Sequence, residues 1–449
     1  MNILVINGSP KGENSVTLQT MLYLEKCYPN NSFEYLHAGQ KIKSLERDFS
    51  KAAESLERAD LIIFSYPVYT FIAPYQLHRF IELIKENNIE LQGKFATQFT
   101  TSKHFYDVTA HRYIQDNCCD LGIKYIKGLS ADMEDLLKPL GQKQAKEFFE
   151  HTLFCMENDV YEKSSIINAQ PKNVTVTVPQ SNNAQKGGYI VVLTTAKDTD
   201  TQLLKMIERF RAVCKRNTRV INLKDYPFKG GCLGCLNCAV SGKCVYKDGF
   251  DEYLRDTIQS AQAIVIAFTV KDHSMGATFK LYDDRQFCNG HRAVTMGMPM
   301  GYLVSGNYST EFNLQMVIEG RAQVGSNFLA GVATDEENPD FEIDKLAENI
   351  EYALQNSYVP PQNFYGIGGM KIFRDLIWLM RGIMKADHKF YKEHKQYDFP
   401  QKKRGTMIAM CLLGTLISSD KMKAKAGNMM SEGMLMPYKK VLEKENQKQ

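Results

Sequence analysis

Met1-Asn2-Ile3-Leu4-Val5-Ile6-Asn7-Gly8-Ser9-Pro10-Lys11-Gly12-Glu13-Asn14-Ser15-Val16-Thr17 is the stretch on which the fold turns. Residues 2–6 are an apolar run that predicts a short buried strand. The run stops at a loop of Asn, Gly, Ser and Pro, and a helical pattern begins after it. Strand, loop and helix in that order bring backbone N–H groups, hydroxyls and a helix N-terminus to one point, which suits a phosphate. The same residue types also serve an ordinary strand-to-helix turn, where backbone freedom alone selects them.

Working outward, residues 32–36 predict a second strand, 50–58 a helix, 61–65 a third strand buried on both faces, 95–101 a fourth, 123–126 a fifth, and 141–156 a helix. Strands alternating with helices predict an α/β fold with a parallel sheet. In open sheets of this kind ligands sit beyond the carboxyl ends of the strands, where the strand order reverses. Two further loops reach that edge: Tyr66-Pro67-Val68-Tyr69-Thr70-Phe71 after the third strand, and Thr100-Thr101-Ser102-Lys103-His104-Phe105-Tyr106 after the fourth. Tyr69, Phe71, Phe105 and Tyr106 could cover a planar ring or simply pack the rim. His104 reads as a hydrogen-bonded loop histidine.

The first loop together with Pro67-Val68-Tyr69 resembles the flavodoxin-like NAD(P)H-dependent FMN reductases and the related iron-sulfur flavoproteins, over about residues 1–155. The resemblance implies that FMN binds here, with Ser9, Lys11, Asn14, Ser15 and Thr17 on its phosphate. It also implies that Pro67, Val68, Tyr69, Thr70 and Phe71 lie along the isoalloxazine ring, with Thr101 and Ser102 completing the set. The electron donor it implies is NAD(P)H or a redox protein.

Residues 164–187 are polar and rich in Asn, Gln and Pro, which predicts a linker after a first domain of residues 1–163. Its middle, 174–178, alternates like an edge strand. From 188 to 358 the α/β pattern repeats, with strands expected at 189–193, 220–223 and 263–267, so the chain reads as two flavodoxin-like doubly wound parallel sheets in tandem. The second copy has lost the phosphate loop. Thr194-Thr195-Ala196-Lys197-Asp198-Thr199-Asp200 puts two carboxylates where a phosphate dianion would sit, and Thr269-Val270-Lys271 replaces Pro-Val-Tyr. Residues 359–449 predict a helical C-terminal extension, basic and rich in Met. Its apolar run, 407–419, is too short to span a bilayer and predicts a buried helix.

The second copy gains Gly230-Gly231-Cys232-Leu233-Gly234-Cys235-Leu236-Asn237-Cys238-Ala239-Val240-Ser241-Gly242-Lys243-Cys244, inserted between its second strand and the next helix. Three thiols at consecutive x2 spacing and a fourth after a turn resemble runs that ligate iron-sulfur clusters. Structural zinc, which more often uses two separated Cys-x2-Cys hooks, and a redox-active thiol set remain open. The spacing of Cys232, Cys235, Cys238 and Cys244 matches the compact motif of the iron-sulfur flavoproteins, and that resemblance implies a 4Fe-4S cluster. Beyond it, His273, Asp283, Asp284 and Arg285 read as a solvated helix face.

Composition sets the frame for these motifs. The chain has 449 residues, 44% hydrophobic and 24% charged, with a net charge of +4, a soluble globular profile that gives no reason to expect nucleic acid. Eleven cysteines, an odd number and mostly scattered, do not form a secreted disulfide framework. With no signal-peptide pattern and no membrane span, a cytoplasmic protein is expected. The expectation is a homo-oligomeric oxidoreductase passing electrons between FMN on the first domain and a 4Fe-4S cluster on the second. The alternatives are an NAD(P)H-dependent FMN or quinone reductase with structural zinc, and a non-catalytic flavodoxin-like binding protein.

Overall fold

Strand β1 (Asn2–Asn7) pairs in parallel with β2 (Ser32–Leu36) on one side and β3 (Leu61–Pro67) on the other, in a computed structural model that describes residues 1–163, 174–180 and 186–417 with isolated positions beyond. The sheet continues through β4 (Phe95–Ser102) to β5 (Lys124–Tyr125), giving the order β2-β1-β3-β4-β5. Helices cover both faces, which is why β3 is apolar over residues 61–64. Leu61 and Ile63 join Phe99 and Phe149 in one core, while Ile62 and Phe64 join Phe80 and Ala110 in the other.

The fifth strand is shorter than predicted. Tyr125 accepts hydrogen bonds at its hydroxyl from the Gly128 N–H and the Gln98 amide, and a side chain at Gly128 would strike Gln98. The chain therefore steps aside, and a separate strand β6 (Leu129–Asp132) pairs with the distal half of β4.

The second sheet contains β7 (Lys186–Thr194), β8 (Arg216–Asn222), β9 (Ala263–Thr269), β10 (Pro299–Ser305) and β11 (Phe328–Thr334) in the order β8-β7-β9-β10-β11, every pair parallel. Its winding repeats the first sheet's: the flavodoxin-like order, twice. Most of the predicted linker, and the chain beyond 417 apart from isolated positions, lie outside the described residues. Residues 174–178 are not a strand. Val176 is buried in the second sheet's core, while the Val174 N–H reaches Asp335 O at 2.8 Å and the Thr177 N–H reaches Asp340 Oδ1 at 3.0 Å.

Both sheets belong to one compact unit, Met1–Phe390. They meet through equivalent helices, Tyr75–Glu86 after β3 and Gly276–Arg285 after β9. Asp284 Oδ2 accepts the Tyr75 N–H at 2.7 Å, and Glu82 Oε1 accepts the Ala277 N–H at 2.8 Å. The same spacing separates Tyr75 from Ala277 and Glu82 from Asp284. The exchange is therefore the reciprocal contact of a two-fold dimer, made within one chain, with each carboxylate at the positive end of the opposite helix.

The helix Phe364–Leu379 packs on the helix Phe312–Val324 of the second half, as expected of an appendage, and also on the first half, where Tyr106 Oη donates to Tyr365 O at 3.1 Å. The unit Tyr391–Gln449 is separate. Its helix Arg404–Ile417 is exposed rather than buried, with Met410 at 57% and Leu412 at 63% exposure. Apolarity on all sides does not bury a helix unless neighbours surround it, and the described part of this unit supplies too few. Among the described residues no helix is long and apolar enough to cross a membrane.

Candidate functional site

Asn7, at the end of β1, builds the first wall of the site. Its side-chain oxygen accepts the Ser9 N–H at 3.1 Å and its amide donates to Gly12 O at 2.9 Å, closing the loop on itself. Ser15 then caps the helix Val16–Cys27, and Thr17 in its first turn shares a hydrogen bond of 2.5 Å with Thr101 on β4. Phosphate loop and fourth strand are thereby fixed to each other.

The second wall is the loop after β3. Thr70 and Phe71 have φ of 45° and 75°, a left-handed conformation that bulky residues adopt only when their surroundings enforce it. Tyr69 and Ile72 exchange backbone hydrogen bonds at 2.8 and 3.2 Å. From the second half, Lys280 Nζ donates to Tyr69 O at 2.8 Å and Thr70 Oγ1 donates to Asp284 Oδ1 at 3.0 Å.

The cysteine loop is the third wall. All four cysteines line the same cavity of about 490 Å³ as Ser9, Lys11, Ser15, Thr17, Pro67, Val68, Tyr69, Thr70, Phe71, Thr101 and Ser102. A volume of this size is typical of a cofactor pocket. Asn14 lies outside it, exposed at the end of the turn Gly12–Asn14. Gly234, at φ +61°, is where the loop touches the first half: a Cβ there would come within 1.9 Å of Tyr69 Oη and 3.4 Å of Lys11 Cε. Only glycine permits that approach.

The Gly234 N–H donates to Cys232 Sγ at 3.4 Å. Burial pushes the Cys232 thiol up, and that of Cys238 up to about 11, so as free thiols both keep their protons at neutral pH and metal binding would release them. Among the described residues no three His, Cys, Asp or Glu side chains converge as a single bound ion needs. The four thiols lie along a glycine-rich loop that faces the cavity, a donor type that iron-sulfur clusters and zinc both accept. For FMN, the hydroxyl-lined loop at a helix N-terminus fits a phosphate, and the aromatic loop after β3 fits a planar ring.

His104 is the loop histidine expected, exposed and paired through Nδ1 with Asp107 at 2.8 Å. His273, Asp283, Asp284 and Arg285 are not a solvated face. His273 bridges Asp120 and Glu311 at 3.0 Å each, and the other three are at most 2% exposed. Asp284 turns to the other α/β unit, while Asp283 and Arg285 pair within their own half with Arg321 and Asp248. The lost phosphate loop of the second half is closed by its own acid, Asp200 accepting the Lys197 N–H at 2.8 Å.

Sequence reasoning missed the outer wall, which comes from Met370, Phe373, Leu376, Met380 and Met384. Their spacing of three and four is the signal that could have found them. Phe373 stacks on Phe105 at 4.3 Å, and Asp387 just beyond accepts from His291 at 2.9 Å and Arg292 at 3.3 Å, while Arg292 also donates to Cys238 O at 3.4 Å.

Fold and cavity define a tandem of flavodoxin-like units closing on one site. Residues 1–111 match the family model described as flavodoxin-like fold. An iron-sulfur flavoprotein of Clostridioides difficile (strain 630) is 23% identical over 171 residues, covering 36% of this chain and 74% of the relative. Among solved structures, an NADH:FMN oxidoreductase in its apo form is 19% identical with a TM-score of 0.31, covering 36% of this chain and 91% of its own. An FMN-dependent NADH-azoreductase from Bacillus anthracis, in complex with FMN, is 16% identical with a TM-score of 0.28, covering 34% and 99%.

Proposed function

We propose that the chain is a flavin and iron-sulfur electron-transfer oxidoreductase, with FMN in the first domain (1–163) and a 4Fe-4S cluster on the cysteine loop of the second (188–358), joined by a linker (164–187) and followed by the extension (359–449). The observation that carries the reading is that the phosphate loop, the aromatic loop after β3 and all four cysteines face one cavity within a single chain. Ser9, Lys11, Ser15 and Thr17 would hold the phosphate, Pro67 to Phe71 with Thr101 and Ser102 the ring, and Cys232, Cys235, Cys238 and Cys244 the cluster. When bound, the flavin supplies two-electron chemistry and the cluster one-electron transfer.

This chain's own part is to position the two groups and shield them from water. The aromatic loop is held in its left-handed form, the glycines let the cysteine loop approach, and the outer wall excludes solvent from the space between. Electrons enter from NAD(P)H or a redox protein. The two-fold contact that a homo-oligomer would use is filled internally, so association of whole chains would need another face.

Anaerobic purification followed by a visible spectrum, flavin analysis and iron and sulfide assay tests the reading. It expects about one FMN and about four irons per chain. A Cys232→Ser, Cys235→Ser variant should lose the iron and keep the flavin. Zinc in place of iron, or a chain that neither carries nor takes up flavin, would overturn it.

A further inference from the structure

The helix Gly276–Arg285 buries four ionisable side chains near its end: Lys280 at 1% exposure, Asp283 at 2%, Asp284 at 0% and Arg285 at 1%. Taking charges out of water is costly unless each is paired and fully hydrogen-bonded, so the direction in which each one points is informative. Asp283 binds Arg321 at 2.7 Å within the second half. Asp284 reaches the first half, where its two oxygens accept from Thr70 Oγ1 and the Tyr75 N–H, and its partner Lys280 donates to Tyr69 O. Together they grip the loop that carries the left-handed Thr70 and Phe71.

Arg285, the very next residue, grips the cysteine loop. Its Nη1 donates to Gly230 O at 3.0 Å, and its two Nη atoms bind the Asp248 carboxylate at 2.8 and 2.7 Å. The guanidinium lies 4.4 Å from the centre of the Tyr246 ring, whose hydroxyl donates to Gly231 O at 3.1 Å. Entry and exit of the loop are thus drawn onto one side chain, with the four cysteines between them.

We propose that the carboxyl-terminal end of this helix is the block that sets the spacing between the two loops, with Lys280 and Asp284 positioning residues 69–75 and Arg285 positioning residues 230–248. The proposal rests on the functional reading only for what the two loops hold; the positioning is a property of the polypeptide. Adjacent residues on one rigid helical turn cannot move apart, so this turn fixes the spacing of the two loops in addition to their direct contact at Gly234 and Tyr69.

Hydrogen exchange read by mass spectrometry, on the full chain as purified, tests this without requiring any cofactor. In Asp284→Asn, amides of 69–75 should exchange about tenfold faster while those of 230–248 stay as in the wild type. In Arg285→Lys, which keeps the charge but loses the two-pronged grip, the pattern should reverse. Alkylation of the metal-free protein with iodoacetamide should follow, about tenfold faster at Cys232 in Arg285→Lys than in the wild type. If both variants loosen both loops alike, or neither loosens either, the proposal is overturned. A chain without FMN and iron that still gives the crossed pattern keeps the positioning and discards the cofactor reading; a loaded chain without the crossed pattern does the opposite.

Discussion

Gly234 shows how much of the site depends on one missing side chain. At φ +61° and with Tyr69 Oη where its Cβ would be, Gly234→Ala should cost about 1–3 kcal/mol in urea denaturation, part from backbone strain and part from the clash. Adding Tyr69→Phe removes the atom that is struck, so the double variant should recover the clash and not the strain. Simple additivity of the two losses would count against the contact. His273 offers a pH test. Desolvation would lower its pKa, but hydrogen bonds and attraction from Asp120 and Glu311 outweigh it and raise the value to about 10. Because the folded pKa lies above the unfolded one near 6.5, the stabilisation is complete below about pH 6.5. It is lost at about 1.4 kcal/mol per pH unit as the pH climbs toward 10. Thermal melts between pH 6 and 10 should show that slope in the wild type and much less of it in His273→Asn. At this scale the sequence is legible where a residue's role is local. His104 reads as a loop histidine because its partner, Asp107, is close in the chain. Asp284 and Arg285 were misread because Thr70 and Tyr75 come to Asp284 only by the meeting of two halves, and Asp248 comes to Arg285 only by the return of the cysteine loop.

The elements were easier to read than their neighbours. β1, β3 and β9 are short apolar runs ended by turn residues, and burial on both faces of a parallel sheet leaves such runs no other use. Residues 174–178 alternate just as well, yet only Val176 turns inward, since alternation does not say whether an edge is free to pair. The helix Phe364–Leu379 shows the same limit: a helical extension was expected there, but not the cavity that it walls. Phe373 joins it to both halves, stacking on Phe105 at 4.3 Å and meeting His291 edge-on at 4.9 Å. Phe373→Ala should therefore destabilise by about 1–3 kcal/mol, below the value for a fully buried ring because Phe373 is half-buried. The sole tryptophan, Trp378, lies on the same helix, so its emission in a urea titration reports the loss directly. An unchanged midpoint would mean that the helix is held by its contacts with Phe312–Val324 alone.

For the whole molecule, each sheet buries a core on both its faces, and the halves are joined where Val317 of the second enters a core of the first and by the reciprocal contact. Glu82 is its half-way point. At 6% exposure it accepts the Ala277 N–H, Arg79 at 2.9 Å and Lys271 at 3.0 Å. Glu82→Ala would leave the Ala277 N–H without its acceptor and take one of three carboxylates from Arg79, which keeps Glu46 and Glu86, at a cost of about 1–3 kcal/mol. That cost falls on the joint and not on either core. Hydrogen exchange of the β1 and β7 amides at increasing urea should therefore coincide in the wild type and separate in Glu82→Ala. The half that holds fewer contacts with the Phe364–Leu379 helix would open first. If β1 and β7 still open together in the variant, the coupling runs instead through that helix and Tyr106, and the two-fold contact is a relic of duplication rather than the joint of the molecule.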